Sequence, residues 1–271
     1  MRALEVLTGF ATAPGATFTA VTVASGNSLT VRSGPIDSKI SLLTAWSQQQ
    51  AAGNVRIRSP RLHDNVQGIR LFSPADEIYP LVPVGYTQSL ISQDTLTVEI
   101  TGSAVAGQIE TACLLVAYED LPGVAGRFID TAELSSRLKS IVTVENTLTM
   151  GITGGYSGER AINSQFDLLK ANTDYALMGY LVSASVAVVR WRGVDTGNLG
   201  VGGPGHSRNK FLTSRWFVDM SDALGAPWIP VFNSANRAGI LIDAATNQVV
   251  VSPVVTSIFG ELGEAGAAPT M

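Results

Sequence analysis

The chain has 271 residues, 45% of them hydrophobic and only 15% charged, with a formal net charge of −4. That length is too great for one small β-sandwich and suits two domains of roughly 120–140 residues. The acidic balance argues against a dedicated nucleic-acid binder, whose footprint is basic, and the composition excludes a disordered chain. A surface so poor in charge is expected to be covered in large part by partner subunits.

In chain order, the first residues show no secretory signal pattern: Arg2 is followed by a short apolar stretch broken by Thr, Gly and Pro. No apolar run reaches 18 residues, so no membrane-spanning helix is expected. The chain is expected to stay inside the cell or to leave it only within a particle. Short runs rich in Val, Thr, Ile and Leu, bounded by Gly, Asn, Asp and Pro, predict strands at 18–23, 28–32, 54–58, 95–101 and 113–118. Further runs predict strands at 69–72, 182–192, 216–218, 239–243 and 249–255. In Val55-Arg56-Ile57-Arg58 the apolar and basic residues alternate, so the arginines share one face. Many short strands with regular turn signals point to sandwiches or barrels.

Helical signals are few. Asp130 followed by Glu133 has the spacing of a capping box and predicts a helix over 131–139. Ile162, Phe166 and Leu169 have helical spacing and predict a second over 161–169; residues 38–46 fit a helix or a strand.

The two halves share similar segments in the same order. Residues 27–31 resemble 146–150, 43–46 resemble 177–180, and 55–59 resemble 189–193. Pro80-Leu81-Val82-Pro83-Val84 resembles Pro227-Trp228-Ile229-Pro230-Val231, 96–99 resemble 240–243, and 118–121 resemble 259–262. The paired prolines are the least generic of these matches, because proline is excluded from central strands. The offset changes place insertions in the second copy around 156–166 and 195–205.

Chemistry-bearing patterns are sparse. His63 and His206 lie in corresponding loops, without the His-x-His and later Glu and His that a double β-barrel oxygenase needs. Residues 154–158 resemble a nucleophile elbow but lack its Gly-x-Ser-x-Gly pattern and read as a turn. The glycine-rich stretch 197–205 lacks the Lys-Ser/Thr of a phosphate loop and reads as a mobile or tightly folded surface loop. Asp76-Glu77 and Glu119-Asp120 sit at predicted strand ends, without a calcium-loop pattern or the aromatics of a carbohydrate-cleaving site. Cys113 lies in an apolar run and reads as a small buried hydrophobe. No catalytic, cofactor-binding or metal-ligating residue is assigned, and no cofactor is expected. The one notable basic cluster is Arg56, Arg58, Arg190 and Arg192, with Arg61 and Arg70 nearby. It fits a solvated sheet face, inter-subunit salt bridges or contact with a phosphate-rich interior.

Two tandem β-domains, a short helix near their junction and the duplicated proline segments resemble the double jelly-roll major capsid proteins of icosahedral, often membrane-containing, viruses and bacteriophages. The resemblance covers about 27–262. It implies an all-β fold of two tandem eight-stranded jelly-roll sandwiches with few short helices. It divides the chain into an N-terminal jelly roll at 1–125, with an arm at about 1–25, a linker with a short helix at 126–144, and a C-terminal jelly roll at 145–271. It implies a structural, non-enzymatic virion protein that forms pseudo-hexameric homotrimers, located in the capsid and assembled in the host cytoplasm. Its partners would be itself, neighbouring capsomers and other virion proteins, with an internal membrane or the genome beneath, and no specific nucleic-acid recognition. Arg56, Arg58, Arg190, Arg192, Gly200 and Gly203 are the interface candidates, the glycines because the loop 195–205 would form a tower or an inter-capsomer contact. The alternatives are a vertex, spike or carbohydrate-binding tail component and, from another class, a double β-barrel enzyme.

Overall fold

A computed structural model describes residues 2–23, 29–34, 39–60, 62, 66–75, 87–121, 123–124, 126–150, 154–162, 169–205, 210–247 and 252–264. His63, His206, Asp76, Glu77 and the segment 80–84 lie outside these residues, as does most of the helix expected over 161–169.

The first half contains β1 (Arg2–Thr12), β2 (Thr19–Ala20), β3 (Leu29–Thr30), β4 (Ile40–Gln48) and β5 (Gly53–Arg58). It continues with β6 (Ile69–Ser73), β7 (Gln88–Leu90), β8 (Thr95–Ile100) and β9 (Ile109–Glu119). These strands form two antiparallel sheets. One has the order β1-β9-β4-β7; the other has β8-β5-β6, with β2 and β3 both on the free edge of β8. This order is that of a jelly roll, in which β2 and β3 together occupy one strand position.

The second half contains β10 (Phe128–Ile129), α1 (Thr131–Arg137), β11 (Leu138–Thr147), β12 (Gly155–Tyr156), β13 (Arg160–Ala161), β14 (Asp174–Val182) and β15 (Val186–Arg192). After these come β16 (Val201–Gly205), α2 (Lys210–Ser214), α3 (Trp216–Leu224), β17 (Ile229–Asn233), β18 (Leu241–Thr246) and β19 (Val254–Leu262). Its sheets run β11-β19-β14-β17-β10 and β18-β15-β16, with β12 and β13 both on β18. Apart from the added edge strand β10, the second order repeats the first, so β1 corresponds to β11, β4 to β14, β5 to β15, β8 to β18 and β9 to β19. The repeat extends to an irregularity: the register shifts between Leu42 and Thr44 where β4 meets β9, and between Leu177 and Gly179 where β14 meets β19. The chain is a double jelly roll.

The strand register tests the sequence matches individually. Val55, Arg56, Ile57 and Arg58 face Ile100, Glu99, Val98 and Thr97; Val189, Arg190, Trp191 and Arg192 face Ala244, Asp243, Ile242 and Leu241. Both matches on these strands therefore hold residue for residue. Three others do not. Counted from the shared bulge, Trp46 corresponds to Leu181 rather than Tyr180, and Val116 rather than Tyr118 corresponds to Phe259. Residues 29–30 form β3, whereas their matches 148–149 follow the end of β11, the counterpart of β1. A slip of one residue exchanges the two faces of a strand, and similarity of apolar residues alone cannot detect it.

Several expectations for the elements are corrected. Within the expected arm at about 1–25, residues 2–12 are instead a sheet strand: β1 pairs along its whole length with β9, from Arg2 opposite Glu119 to Thr12 opposite Ile109. Its alternation is hidden because Leu4 and Val6 on one face and Ala3 and Ala11 on the other are all buried. Gly9 belongs to this strand because a Cβ there would lie 2.6 Å from Val21 Cγ2. The stretch expected as linker contains most of β11. Residues 154–158, expected as a turn, include the short strand β12. The run 182–192 is two strands broken at 183–185. Residues 38–46, which fit a helix or a strand, form most of β4.

Trp216-Phe217-Val218, expected as strand, opens helix α3. Trp216, Phe217, Met220 and Ser221 are buried at helical spacing, and the helix stops at Gly225, which takes the left-handed conformation (φ 57°). The helix after Asp130 forms as expected but ends earlier, at Arg137; the Asp130 carboxylate accepts from the Glu133 backbone N–H at 2.7 Å.

The halves pack face to face. The outer face of the sheet β1-β9-β4-β7 presents Leu4, Val6, Leu43, Trp46, Cys113, Leu115 and Ala117 to the second half, and these residues belong to one apolar cluster with Val186, Val188, Trp191 and Trp216. The inner face presents Ala112, Leu114, Val116 and Tyr118 to the first half's own core. Strand β9 is covered on both sides, so it reads as an unbroken apolar run. Cys113 is fully buried here, and desolvation pushes its thiol up to about 12. The native protein is therefore expected to resist a thiol-specific reagent and to react stoichiometrically once unfolded. Rapid labelling under native conditions would contradict the face-to-face packing.

Candidate assembly interface

The four candidate arginines occupy equivalent places. Arg56 and Arg190 each sit mid-strand opposite a carboxylate, Glu99 and Asp243. Arg56 and Arg58 share Glu99, at 2.7 and 2.9 Å. Arg190 makes a two-pronged contact with Asp243, Nε to Oδ1 at 2.9 Å and Nη2 to Oδ2 at 2.5 Å. Arg192 pairs with Glu159.

Sequence reading missed a third member of each set. The Arg56 guanidinium lies over the Phe18 ring, 4.3 Å from its centroid, and that of Arg190 lies over Tyr156 at 3.3 Å. Thr19 pairs with Ile100 and Tyr156 with Ala245, so Phe18 and Tyr156 are register counterparts. Each sheet β8-β5-β6 or β18-β15-β16 thus carries an arginine held between a carboxylate and an aromatic ring on its outer face. The spacing between Phe18 and Tyr156 in sequence matches no neighbouring offset, because insertions intervene. Only strand pairing reveals the equivalence.

The surroundings of the two sets differ. The second set lies against the first sandwich: the Tyr156 hydroxyl is 2.6 Å from Thr8 Oγ1, and Arg190 acts electrostatically on Cys113. Burial lowers the affinity of Arg190 for its proton, while Tyr156, Asp243 and Glu159 raise it, with a net shift upward. Around the set, the Trp46 indole N–H donates to the Ala187 carbonyl at 2.7 Å and the ring meets Trp216 edge to face at 6.0 Å. The Gln48 carbonyl accepts from Asn247 Nδ2 at 2.7 Å, and Gln50 Nε2 donates to the Asn247 carbonyl at 2.9 Å.

Among the described residues, no sandwich lies over the first set. Its sheet face presents Arg56 and Arg58 on Glu99, with Arg70 5.6 Å from the Phe18 ring centroid and Phe72 68% exposed. Aromatic and arginine side chains on one exposed face have the composition of an interface core.

Gly200 and Gly203 lie elsewhere than the sequence implied. The stretch 195–205 forms no tower: Val201–Gly205 is strand β16, paired to β15, and all five residues are buried. The Gly200 carbonyl accepts from the Val6 N–H at 2.9 Å, so it joins the two sandwiches of one chain. A Cβ at Gly203 would lie 2.4 Å from Tyr180 Oη and 2.5 Å from Trp216 Nε1, so glycine there admits close packing. Among the described residues, no group of three or more His, Cys, Asp and Glu side chains is gathered that could hold a metal ion.

No protein-family model matches the chain, and no curated protein matches it by sequence. Structural comparison aligns it with the exported protein XepA of PBSX (11% identity, 94% of this chain and 86% of that one, TM-score 0.23). It also aligns with the triple jelly-roll protein of an archaeal virus turret assembly (10% identity, 97% and 59%, TM-score 0.25). A third alignment is with the major capsid protein P2 of bacteriophage PM2 (9% identity, 98% and 100%, TM-score 0.24).

Proposed function

We propose that this chain is a structural virion protein, a major capsid protein whose homotrimers tile an icosahedral shell as pseudo-hexameric units. One observation carries the reading: within one chain, the outer face of one sheet of the second sandwich packs on the outer face of the other sheet of the first. Because the sandwiches share a topology, that contact has a counterpart that a single chain leaves unmade. The contact is heterologous, and repetition of a heterologous contact closes into a ring or continues as a filament. Three chains closing on themselves would set six similar sandwiches around one axis, a near-hexagonal tile generated by threefold assembly.

In this role the chain needs no catalytic group, and its partners are its own copies, neighbouring tiles, other virion proteins and a membrane or genome beneath the shell. Native mass measurement and negative-stain imaging of the purified protein test the reading. The expected result is a species of three chains with a hexagonal outline. A stable monomer at high protein concentration would overturn it.

A further inference from the structure

We infer that the open face of the first sandwich, around Phe18, Arg56, Arg70 and Phe72, docks a second copy of this chain through the outer face of its strands β11 and β19, centred on Glu145. The inference rests on the self-assembly reading above and specifies the two patches that meet.

The argument starts from register. Leu4 pairs with Ala117, Val6 with Leu115 and Thr8 with Cys113; Ile141 pairs with Gly260, Thr143 with Ile258 and Glu145 with Thr256. Anchored at the shared bulge, these rows coincide, so Leu4, Val6 and Thr8 correspond to Ile141, Thr143 and Glu145. On β4 and β14, Trp46 corresponds to Leu181. The first member of each pair lies inside the chain's own contact, and Leu4 is 0% exposed. Ile141, its counterpart, is 62% exposed. A bulky aliphatic residue at a position whose counterpart is wholly buried is what an unfilled copy of the same contact leaves behind. Helix α1 covers the end of this face near Gly260, where Leu134 approaches, and α2 covers the neighbouring β14 at Gly179, where a Cβ would lie 2.3 Å from the Ser214 carbonyl oxygen; Thr143 and Glu145 on β11 remain exposed.

Charge supplies the second argument. Inside the chain the Thr8 hydroxyl meets Tyr156, beside the arginine set of the second sandwich. Carrying that contact over to the counterparts brings Glu145 to Phe18. The Phe18 ring lies against two guanidiniums, Arg56 at 4.3 Å and Arg70 at 5.6 Å. A neutral hydroxyl meets a phenol within the chain, whereas between chains a carboxylate meets a ring flanked by cations. On the covered face, Arg190 and Arg192 are matched by Asp243 and Glu159. On the open face, Arg56 and Arg58 share Glu99 while Arg70 stands at the Phe18 ring, so a carboxylate arriving at that ring meets the guanidiniums of Arg56 and Arg70.

The test uses the full chain and reads its oligomeric state by native mass measurement and sedimentation across a concentration series. Glu145→Lys sets like charges against each other and is expected to raise the concentration needed for association by roughly tenfold or more. Combining Glu145→Lys with Arg70→Glu in one chain reverses both partners and is expected to restore most of the association. Both positions are exposed, so the melting temperature of the dissociated chain serves as the folding control. A wild-type protein that associates while Glu145→Lys has no effect, or while the double reversal fails to rescue, overturns this pairing of patches alone. A wild-type chain that never associates overturns the assembly reading and this inference with it.

Discussion

Replacing Trp46 with alanine is expected to lower the unfolding free energy by ~3–5 kcal/mol, the range for deleting a buried aromatic side chain. Trp46 is 1% exposed and stands between the sandwiches, edge to face with Trp216. Its indole N–H also satisfies the Ala187 carbonyl across the junction, and an orphaned buried acceptor costs about 1–3 kcal/mol. For a chain of this size the loss corresponds to a fall in melting temperature of roughly 6–20 °C. Trp46→Phe keeps most of the ring and loses the hydrogen bond, so its cost is expected to be nearer the hydrogen-bond figure. Guanidinium unfolding followed by far-UV circular dichroism and tryptophan fluorescence measures both variants. A Trp46→Ala loss below about 1 kcal/mol would mean that this residue does not join the sandwiches, since surface substitutions fall in that range.

The sequence carried the fold class and two of the strand correspondences, and physical reasons separate these from what it hid. On β5 and β15 an arginine alternates with an apolar residue, so one face is marked by charge and the register can be read directly. On β1, β4 and β9 both faces are buried, and the alternation that identifies a strand's faces disappears. That concealed β1 as a strand and misplaced Trp46 by one residue. The run at 216–218 looked β-like because three bulky apolar residues are adjacent. The wider spacing of Trp216, Met220 and Leu224, followed by Gly225, was a legible helix signal. The interface was legible only in part. The arginines stood out as a pair of pairs, but Phe18, just before β2, and Tyr156, in β12, lie at short edge strands whose separation from the arginines differs between the halves. Gly200 and Gly203 read as an exposed interface loop because glycine-rich sequence marks surface loops, whereas here glycine admits close packing within the chain.

Asp243→Ala is expected to destabilise the chain by about 2–3 kcal/mol, somewhat below the 3–5 kcal/mol typical of breaking a buried ion pair. The discount reflects the Arg190 side chain, which keeps 22% of its surface in contact with solvent while Asp243 keeps 7%. The loss arises because the Arg190 guanidinium cannot leave: it remains pinned over Tyr156 beneath the first sandwich with its counter-charge removed. Replacing both partners by apolar residues of similar size, Arg190→Met with Asp243→Leu, removes the charge as well as its partner. This double variant is expected to recover most of the loss, giving a non-additive double-mutant cycle under urea or thermal unfolding. Additive losses would mean that the pair is not coupled. A recovered double variant would also show that the second sandwich does not need this charge pair in order to fold. The open face of the first sandwich would then be the one where charge serves association, because there Arg56 and Arg70 flank the exposed approach to Phe18, whereas on the covered face Arg190 is matched by Asp243 and Arg192 by Glu159.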